Sequence, residues 1–277
     1  MPNYVKNIVR FSGKKVALNN MVDFLKQGDR TELDFNRIIP ESEDLTTAVA
    51  PCDETGVAIA EYLLHGTFEC LGLSSQMFGT VKNQMESKLG QTYTDDRQLV
   101  KDYMIHMLKK PYLADDYWER CKQWYENLIK YGYTDWYTWR CDNWGTKWNA
   151  CEADSLDVLV PVPLNKEESD PDCVMSYQFE TAWSMPEGIY LALSAMFPDV
   201  TMEVLYADED LGQNCGEMTY RGGGVIKEKT YDGTSKDSYE FAMMVWDEEY
   251  YSDFLKQDED GHWYIDMDAY YESEEEK

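Results

Sequence analysis

The first 40 residues follow a strand pattern and then a helix pattern. Residues 7–11 form a short β-prone run. The next segment carries apolar residues at positions i, i+3, i+4 and i+7, the spacing of a single helix face. These residues are Leu18, Met21, Val22 and Leu25. Residues 34–39 return to an extended pattern that Pro40 ends, so the segment as a whole predicts a strand–helix–strand unit.

A second unit of the same kind appears much later in the chain. Residues 174–181 alternate between apolar and polar, as expected for a strand with one buried face. Ser184 with Glu187 three residues later matches a capping box and predicts a helix, which Pro198 ends. Residues 201–207 alternate again. Two such units favour a split ferredoxin-like α+β fold, with two helices on one face of an antiparallel sheet.

The stretches outside these two units differ in pattern. Residues 41–139 show helical periodicity with methionine and aromatic stripes, which predicts a large helical insertion with its own core. The ferredoxin-like core is then expected at 1–40 and 140–231. Residues 232–277 are aromatic and strongly acidic. We expect this C-terminal extension to pack on the core and to have a disordered end from Glu272.

The charge of the chain is strongly negative, with 53 acidic and 25 basic residues and a formal net charge of −28. Phosphate backbones and anionic membranes repel such a chain, so direct binding to nucleic acid or to a membrane is disfavoured. Two interpretations of the charge stay open: it serves solubility, or it forms a surface for a basic partner. The residues that would form this surface are Asp247, Glu248, Glu249, Asp253, Asp258, Glu259 and Asp260.

The compartment is predicted from two features of the sequence. The opening residues lack the basic flank and apolar run of an export signal, and no segment approaches the roughly 18 apolar residues of a membrane helix. The seven cysteines are scattered and odd in number, which is typical of reduced thiols. We therefore expect a cytoplasmic protein. The oligomeric state stays open.

The sequence carries no recognisable catalytic or metal-binding motif. The three histidines have no metal-binding spacing, and neither a paired CxxC nor a GxSxG elbow is present. We therefore expect a non-enzymatic protein without metal or cofactor. The one unusual stretch is 140–150, which concentrates large aromatic and polar residues. It fits either an aromatic loop pinned into the core or a ligand site. The ligand site would comprise Trp144, Lys147, Trp148 and Asn149.

Several segments, in the expected order, resemble the YubB-type ferredoxin-like family, also called Api-like proteins, of bacteriophages and plasmids. The matching segments are 2–5, 7–9, 35–40, NWGTKWNA at 143–150, FETAWSMP at 179–186, and 197–198 leading into 206–209. The resemblance implies a ferredoxin-like core with a variable helical insert, and an origin in a mobile genetic element. It supplies no established activity and no catalytic residues.

Charge and resemblance together lead to one expectation and one alternative. The expectation is a non-enzymatic protein in the cytoplasm of a bacterial host. Its acidic surface would block a basic, nucleic-acid-binding site on a host factor such as a defence nuclease, by mimicking nucleic acid. The alternative is a small-molecule or nucleotide binder, or an enzyme, with its site at the loop from Trp144 to Asn149.

Overall fold

The computed structural model describes residues 2–26, 33–67, 75–109, 116–153, 160–161 and 172–275. The chain divides into two units. The core unit comprises Met1–Pro40 and Arg140–Lys277, and the insertion unit comprises Glu41–Trp139. The C-terminal extension therefore belongs to the same unit as the main sheet.

The elements follow in chain order. The helices are α1 (Lys15–Leu25), α2 (Phe35–Ile38), α3 (Glu43–Thr46), α4 (Glu54–His65), α5 (Ser75–Leu89), α6 (Asp96–Leu108), α7 (Tyr117–Tyr131), α8 (Trp136–Asn143), α9 (Glu187–Met196), α10 (Lys236–Trp246) and α11 (Met267–Glu275). The strands are β1 (Tyr4–Lys14), β2 (Val160–Pro161), β3 (Asp172–Ala182), β4 (Thr201–Asp208), β5 (Gly216–Arg221), β6 (Gly224–Thr230), β7 (Leu255–Gln257) and β8 (Trp263–Ile265).

The core unit is built on a six-stranded sheet with the order β2-β3-β1-β4-β5-β6, in which all neighbours are antiparallel. Strand β3 lies between β1 and β2, and β1 lies between β3 and β4. In each strand–helix–strand unit, the two strands are therefore separated in the sheet by a strand of the other unit. This is the split arrangement of the ferredoxin-like fold, and it confirms the predicted fold class.

The prediction of an extended segment at 34–39 is wrong. These residues form the short helix α2, and the side chain of Asp34 caps it by accepting a hydrogen bond from the backbone N–H of Asn36 at 3.0 Å. The strand that completes the first unit is β2, which lies after the insertion and pairs with β3. A short apolar run does not distinguish a strand from a helical turn, so the local pattern was ambiguous here.

One face of the main sheet is covered by helices. Alternate residues of β1, including Val5 and Val9, are fully buried on this face. The apolar face predicted for α1 is confirmed, because all four of its residues are buried. Helix α9 lies over the same face, where the Tyr190 hydroxyl donates to Asn7 Oδ1 at 2.9 Å. The apolar surface buried between this face of the sheet and the two helices α1 and α9 contributes most of the apolar stabilisation of the core unit.

Helix α10 packs against the sheet at β4. Phe241, Ala242 and Val245 form a buried cluster with Ala207 of β4. The indole Nε1 of Trp246 donates to the carbonyl of Ala207 at 3.1 Å and to that of Asp208 at 2.9 Å. These contacts attach the start of the C-terminal extension firmly to the sheet.

The rest of the extension is also ordered structure. A 3-10 helix (Glu249–Phe254) leads into the β7–β8 hairpin and then into α11. The ring of Tyr270 on α11 lies 4.8 Å from that of Tyr251 and 5.4 Å from that of Phe254. Helix α11 continues to Glu275 and so includes the start of the end segment that is predicted to be disordered from Glu272. Residues 276–277 lie outside the described residues.

The insertion unit is helical and has its own core. Its buried residues include Val57 and Ile59 of α4, Tyr103 of α6 and Trp124 of α7. The amide nitrogen of Asn127 donates to the carbonyls of Asp44 and Thr134, at 2.9 and 3.0 Å. Such a closed apolar cluster is typical of a compact helical subdomain.

In the described ranges of the chain, no helix is long and apolar enough to cross a bilayer.

Candidate functional site

Trp144 lies inside the core unit and is completely buried. Its Nε1 donates to the carbonyl of Ile39 at 2.9 Å, and its ring meets that of Phe35 edge to face at 5.7 Å. The guanidinium of Arg140 lies 4.9 Å from the ring centroid. The indole thus has the apolar contacts and the hydrogen-bond acceptor that a buried tryptophan requires.

Two polar side chains of the same loop are also occupied by structural contacts. Asn149 Oδ1 accepts from the backbone N–H of Phe35 at 2.9 Å, and its amide nitrogen donates to Asp34 Oδ1 at 2.8 Å. The hydroxyl of Thr146 donates to the carbonyl of Ala182 at 2.7 Å. Through these hydrogen bonds the two side chains attach the loop to α2 and to the end of β3.

The loop packs tightly against the first turn of α9. Ser184, predicted as the helix cap, instead donates its hydroxyl to the carbonyl of Gly145, and Pro186 occupies the N-cap position without a side-chain cap. The predicted capping box is therefore wrong. A Cβ added to Gly188 would lie 2.0 Å from the backbone oxygen of Asn143. Only glycine fits at this crossing of two backbones.

We expect Gly188→Ala to destabilise the core unit, at the upper end of the roughly 1–3 kcal/mol typical of overpacking. The clash is with backbone and cannot be relieved by turning a side chain. Gly79→Ala is the matched control, since Gly79 also lies in a helix but has open space around its Cα. There alanine should be neutral or stabilising by up to about 1 kcal/mol. Urea unfolding curves of both variants test this, and equal midpoints would contradict the tight crossing.

The other two predicted ligand residues, Lys147 and Trp148, lie in a partly exposed group. The Lys147 ammonium is 4.8 Å from the ring centroid of Trp148 and 4.5 Å from that of Trp183. Trp183 is 42% exposed. The structure thus separates the four predicted residues: Trp144 and Asn149 hold the fold together, whereas Lys147 and Trp148 form a cation–π group with a third residue.

Sequence reasoning did not single out Trp183, although it belongs to the 179–186 motif. Its backbone is left-handed, with φ of 71°, which costs a bulky residue about 1–3 kcal/mol. Two hydrogen bonds hold it there: its N–H donates to the carbonyl of Asn3 at 2.9 Å, and its carbonyl accepts from Asn214 Nδ2 at 3.0 Å. The result is an indole presented at the surface where β3 ends.

The acidic residues predicted to form a partner surface lie at three places along the C-terminal extension. Asp247 ends α10 in a left-handed conformation, Glu249 and Asp253 lie in the 3-10 helix, and residues 258–260 form the turn between β7 and β8. All seven are exposed except Glu248, which is half-buried. They are therefore fixed on ordered backbone and open to solvent.

Few positive charges balance these acids. Residues 232–277 contain 16 acidic and 3 basic residues. Lys236 pairs with Glu240, and Lys256 pairs with Asp266. Among the described residues, the one ion pair that includes a member of the predicted acidic set is that of His262 with Asp258, which is charged only when the imidazole is protonated. Most of this surface therefore keeps its negative charge uncompensated.

A groove of about 420 Å³ lies where this surface meets the β4–β5 connection. Three carboxylates and three phenol rings line it: Glu209, Asp210, Glu248, Tyr239, Tyr251 and Tyr264. Of these, sequence reasoning had selected Glu248 alone. The groove brings together residues that are far apart in the chain, so no local spacing could have indicated it.

Two tyrosines of the groove, Tyr239 and Tyr251, have a raised pKa. The pKa of Tyr251 is raised to about 12, first by its hydrogen bond with Tyr250 and then by burial and by the nearby carboxylate of Glu248. Burial and the charge of Asp210 likewise raise the pKa of Tyr239. The charge of the groove therefore comes from its carboxylates, while the rings offer electron-rich faces.

The described part of the chain shows no metal centre. Within it, no group of three or more histidine, cysteine, aspartate or glutamate side chains is placed to hold a metal ion.

Fold and surface together define an α+β protein with a ferredoxin-like sheet and an acidic, aromatic surface at one end of it.

A comparison with protein families supports the ferredoxin-like fold of part of the chain. Residues 165–249 match the family model described as the ferredoxin-like domain in Api92-like protein. The matched stretch contains β3, α9, β4, β5, β6 and α10. The crystal structure of a protein api92 from Yersinia pseudotuberculosis is similar over 84% of this chain and 99% of that chain, with 11% identity and a TM-score of 0.37. No curated protein matches the chain.

Proposed function

We propose that this protein is a non-enzymatic interaction protein whose acidic surface occupies a basic site on a partner protein. The observation that carries the proposal is the group of six exposed carboxylates and the half-buried Glu248 between Asp247 and Asp260, which stand on ordered backbone with few bases beside them. Surfaces of one sign attract partners of the opposite sign and accelerate their encounter.

The partner that fits best is a protein that normally binds nucleic acid. Such proteins present lysine and arginine to a regular array of phosphates. Carboxylates held on a 3-10 helix and a hairpin turn can bind the same lysine and arginine side chains in place of the phosphates. The protein would then act as a nucleic-acid mimic. The resemblance of the sequence motifs to the Api-like family implies an origin in a mobile genetic element, and we propose a host defence nuclease in the bacterial cytoplasm as the target.

A second candidate function rests on the group formed by Lys147, Trp148 and Trp183. An exposed indole beside an ammonium group could stack on a nucleobase and contact its phosphate. This group favours a nucleotide or another small anionic ligand. In this case, titration with nucleoside triphosphates should quench the tryptophan fluorescence of the wild type, and Trp183→Ala should abolish most of that effect.

The first proposal is tested by isolating the partner and measuring its association. The tagged protein is purified from bacterial lysate, and the co-purifying protein is produced separately for kinetics. We expect the partner to lose DNA binding in the complex. Association should slow steeply as the Debye length falls from about 10 Å at 0.1 M salt to about 3 Å at 1 M. A rate independent of salt, or a partner that binds DNA equally well in the complex, would refute the proposal.

A further inference from the structure

Hydrogen bonds and close packing hold both sides of the groove between the β4–β5 connection and the extension. The backbone N–H of Glu209 donates to the carbonyl of Tyr4 at 2.8 Å, and its carboxylate accepts from the N–H of Tyr4 at 3.0 Å. The N–H of Asp210 donates to Asp208 Oδ1 at 2.9 Å. On the opposite side, the ring of Tyr239 lies directly against Gly212, where a Cβ would come within 2.8 Å of it.

The charged side chains that line the groove are all carboxylates. Among the described residues, no lysine, arginine or histidine forms an ion pair with Glu209, Asp210 or Glu248. Phenol rings line the groove together with these carboxylates, and Ile265 and Met267 add apolar surface. A ligand that fits must therefore combine a cation, a flat or polarisable head and an apolar stem.

We propose that this groove receives an arginine side chain of the basic partner, an inference that rests on the proposed function. A guanidinium is planar, stacks on aromatic faces and binds carboxylates through two parallel hydrogen bonds. Its aliphatic stem can lie along Ile265 and Met267. The ammonium of lysine is more strongly hydrated and lacks the flat face, so the groove prefers arginine to lysine.

The test uses fluorescein-labelled tetra-arginine and tetra-lysine peptides, with binding measured by fluorescence anisotropy at 0.1 M salt. The double variant Asp210→Asn with Glu248→Gln removes two charges from the groove. The matched control, Asp23→Asn with Glu126→Gln, removes two exposed charges elsewhere. We expect the groove variant to bind tetra-arginine about tenfold more weakly, as for a lost charge-assisted pair. The control should change affinity less than about threefold, as for isolated surface charges.

A second variant, Tyr264→Leu, tests the aromatic contribution without changing the charge. Tyr264 is 42% exposed, so its removal should leave the fold intact. The wild type should prefer tetra-arginine to tetra-lysine, and this variant should lose most of that preference. Equal affinities of the wild type for the two peptides, or equal losses in the groove and control double variants, would overturn the groove assignment. Either result leaves the proposed function standing, since that is judged by the salt dependence measured with the intact partner.

Discussion

Trp144→Ala should lower the free energy of unfolding by about 3–5 kcal/mol, the cost of truncating a fully buried large aromatic side chain. The substitution opens a cavity beside Phe35 and leaves the carbonyl of Ile39 without its indole donor. It also removes the ring that the guanidinium of Arg140 covers. Urea unfolding followed by circular dichroism measures the effect, and we expect a clear fall in the midpoint.

Trp148→Ala is the matched control for this prediction. Trp148 belongs to the same loop but is only half-buried, and its ring contacts the Lys147 ammonium. The expected loss is about half that of a fully buried ring, because stabilisation scales with the apolar area removed from water. If both variants unfold at the wild-type midpoint, the loop does not tie the core together, and the structural role given to Trp144 is refuted.

Neutralising four neighbouring acids together should slow association with the basic partner by about tenfold or more at low salt. The variant carries Asp247→Asn, Glu248→Gln, Glu249→Gln and Asp253→Asn. Each single change should matter little, since isolated exposed pairs contribute about 0–1 kcal/mol. The fold should be retained, because these side chains are exposed or half-buried, and asparagine tolerates the left-handed backbone of Asp247.

The control for this cluster neutralises two aspartates and two glutamates on other surfaces: Asp23, Glu43, Glu126 and Asp199, all exposed. Both variants change the net charge by the same amount, so only the position of the lost charges differs. Stopped-flow association rates across a salt series compare them with the wild type. If the two variants slow association equally, the net charge alone controls the encounter. The surface from Asp247 to Asp253 then has no special role.

Local periodicity predicted the elements that bury one face. The spacing of Leu18, Met21, Val22 and Leu25 predicted the buried side of α1, and alternation predicted β3 and β4. This works because a helix or strand with one buried side must repeat its apolar residues at its own period. The second unit and the strand and helix that begin the first indicated the ferredoxin-like class, although the second strand of the first unit was predicted in the wrong place. Composition likewise indicated the excess of acids, since formal charge is independent of folding.

The tertiary structure decided how distant segments meet. Residues 34–39 are too short for periodicity to separate a strand from a turn of helix, and the strand that completes the first unit is β2, beyond the whole insertion. The groove depends on Asp210 and Glu248, which lie on different elements and come together only because α10 packs on β4. A repeat along the chain reports which side of an element is buried. It carries no information on which loops lie side by side once the elements have packed.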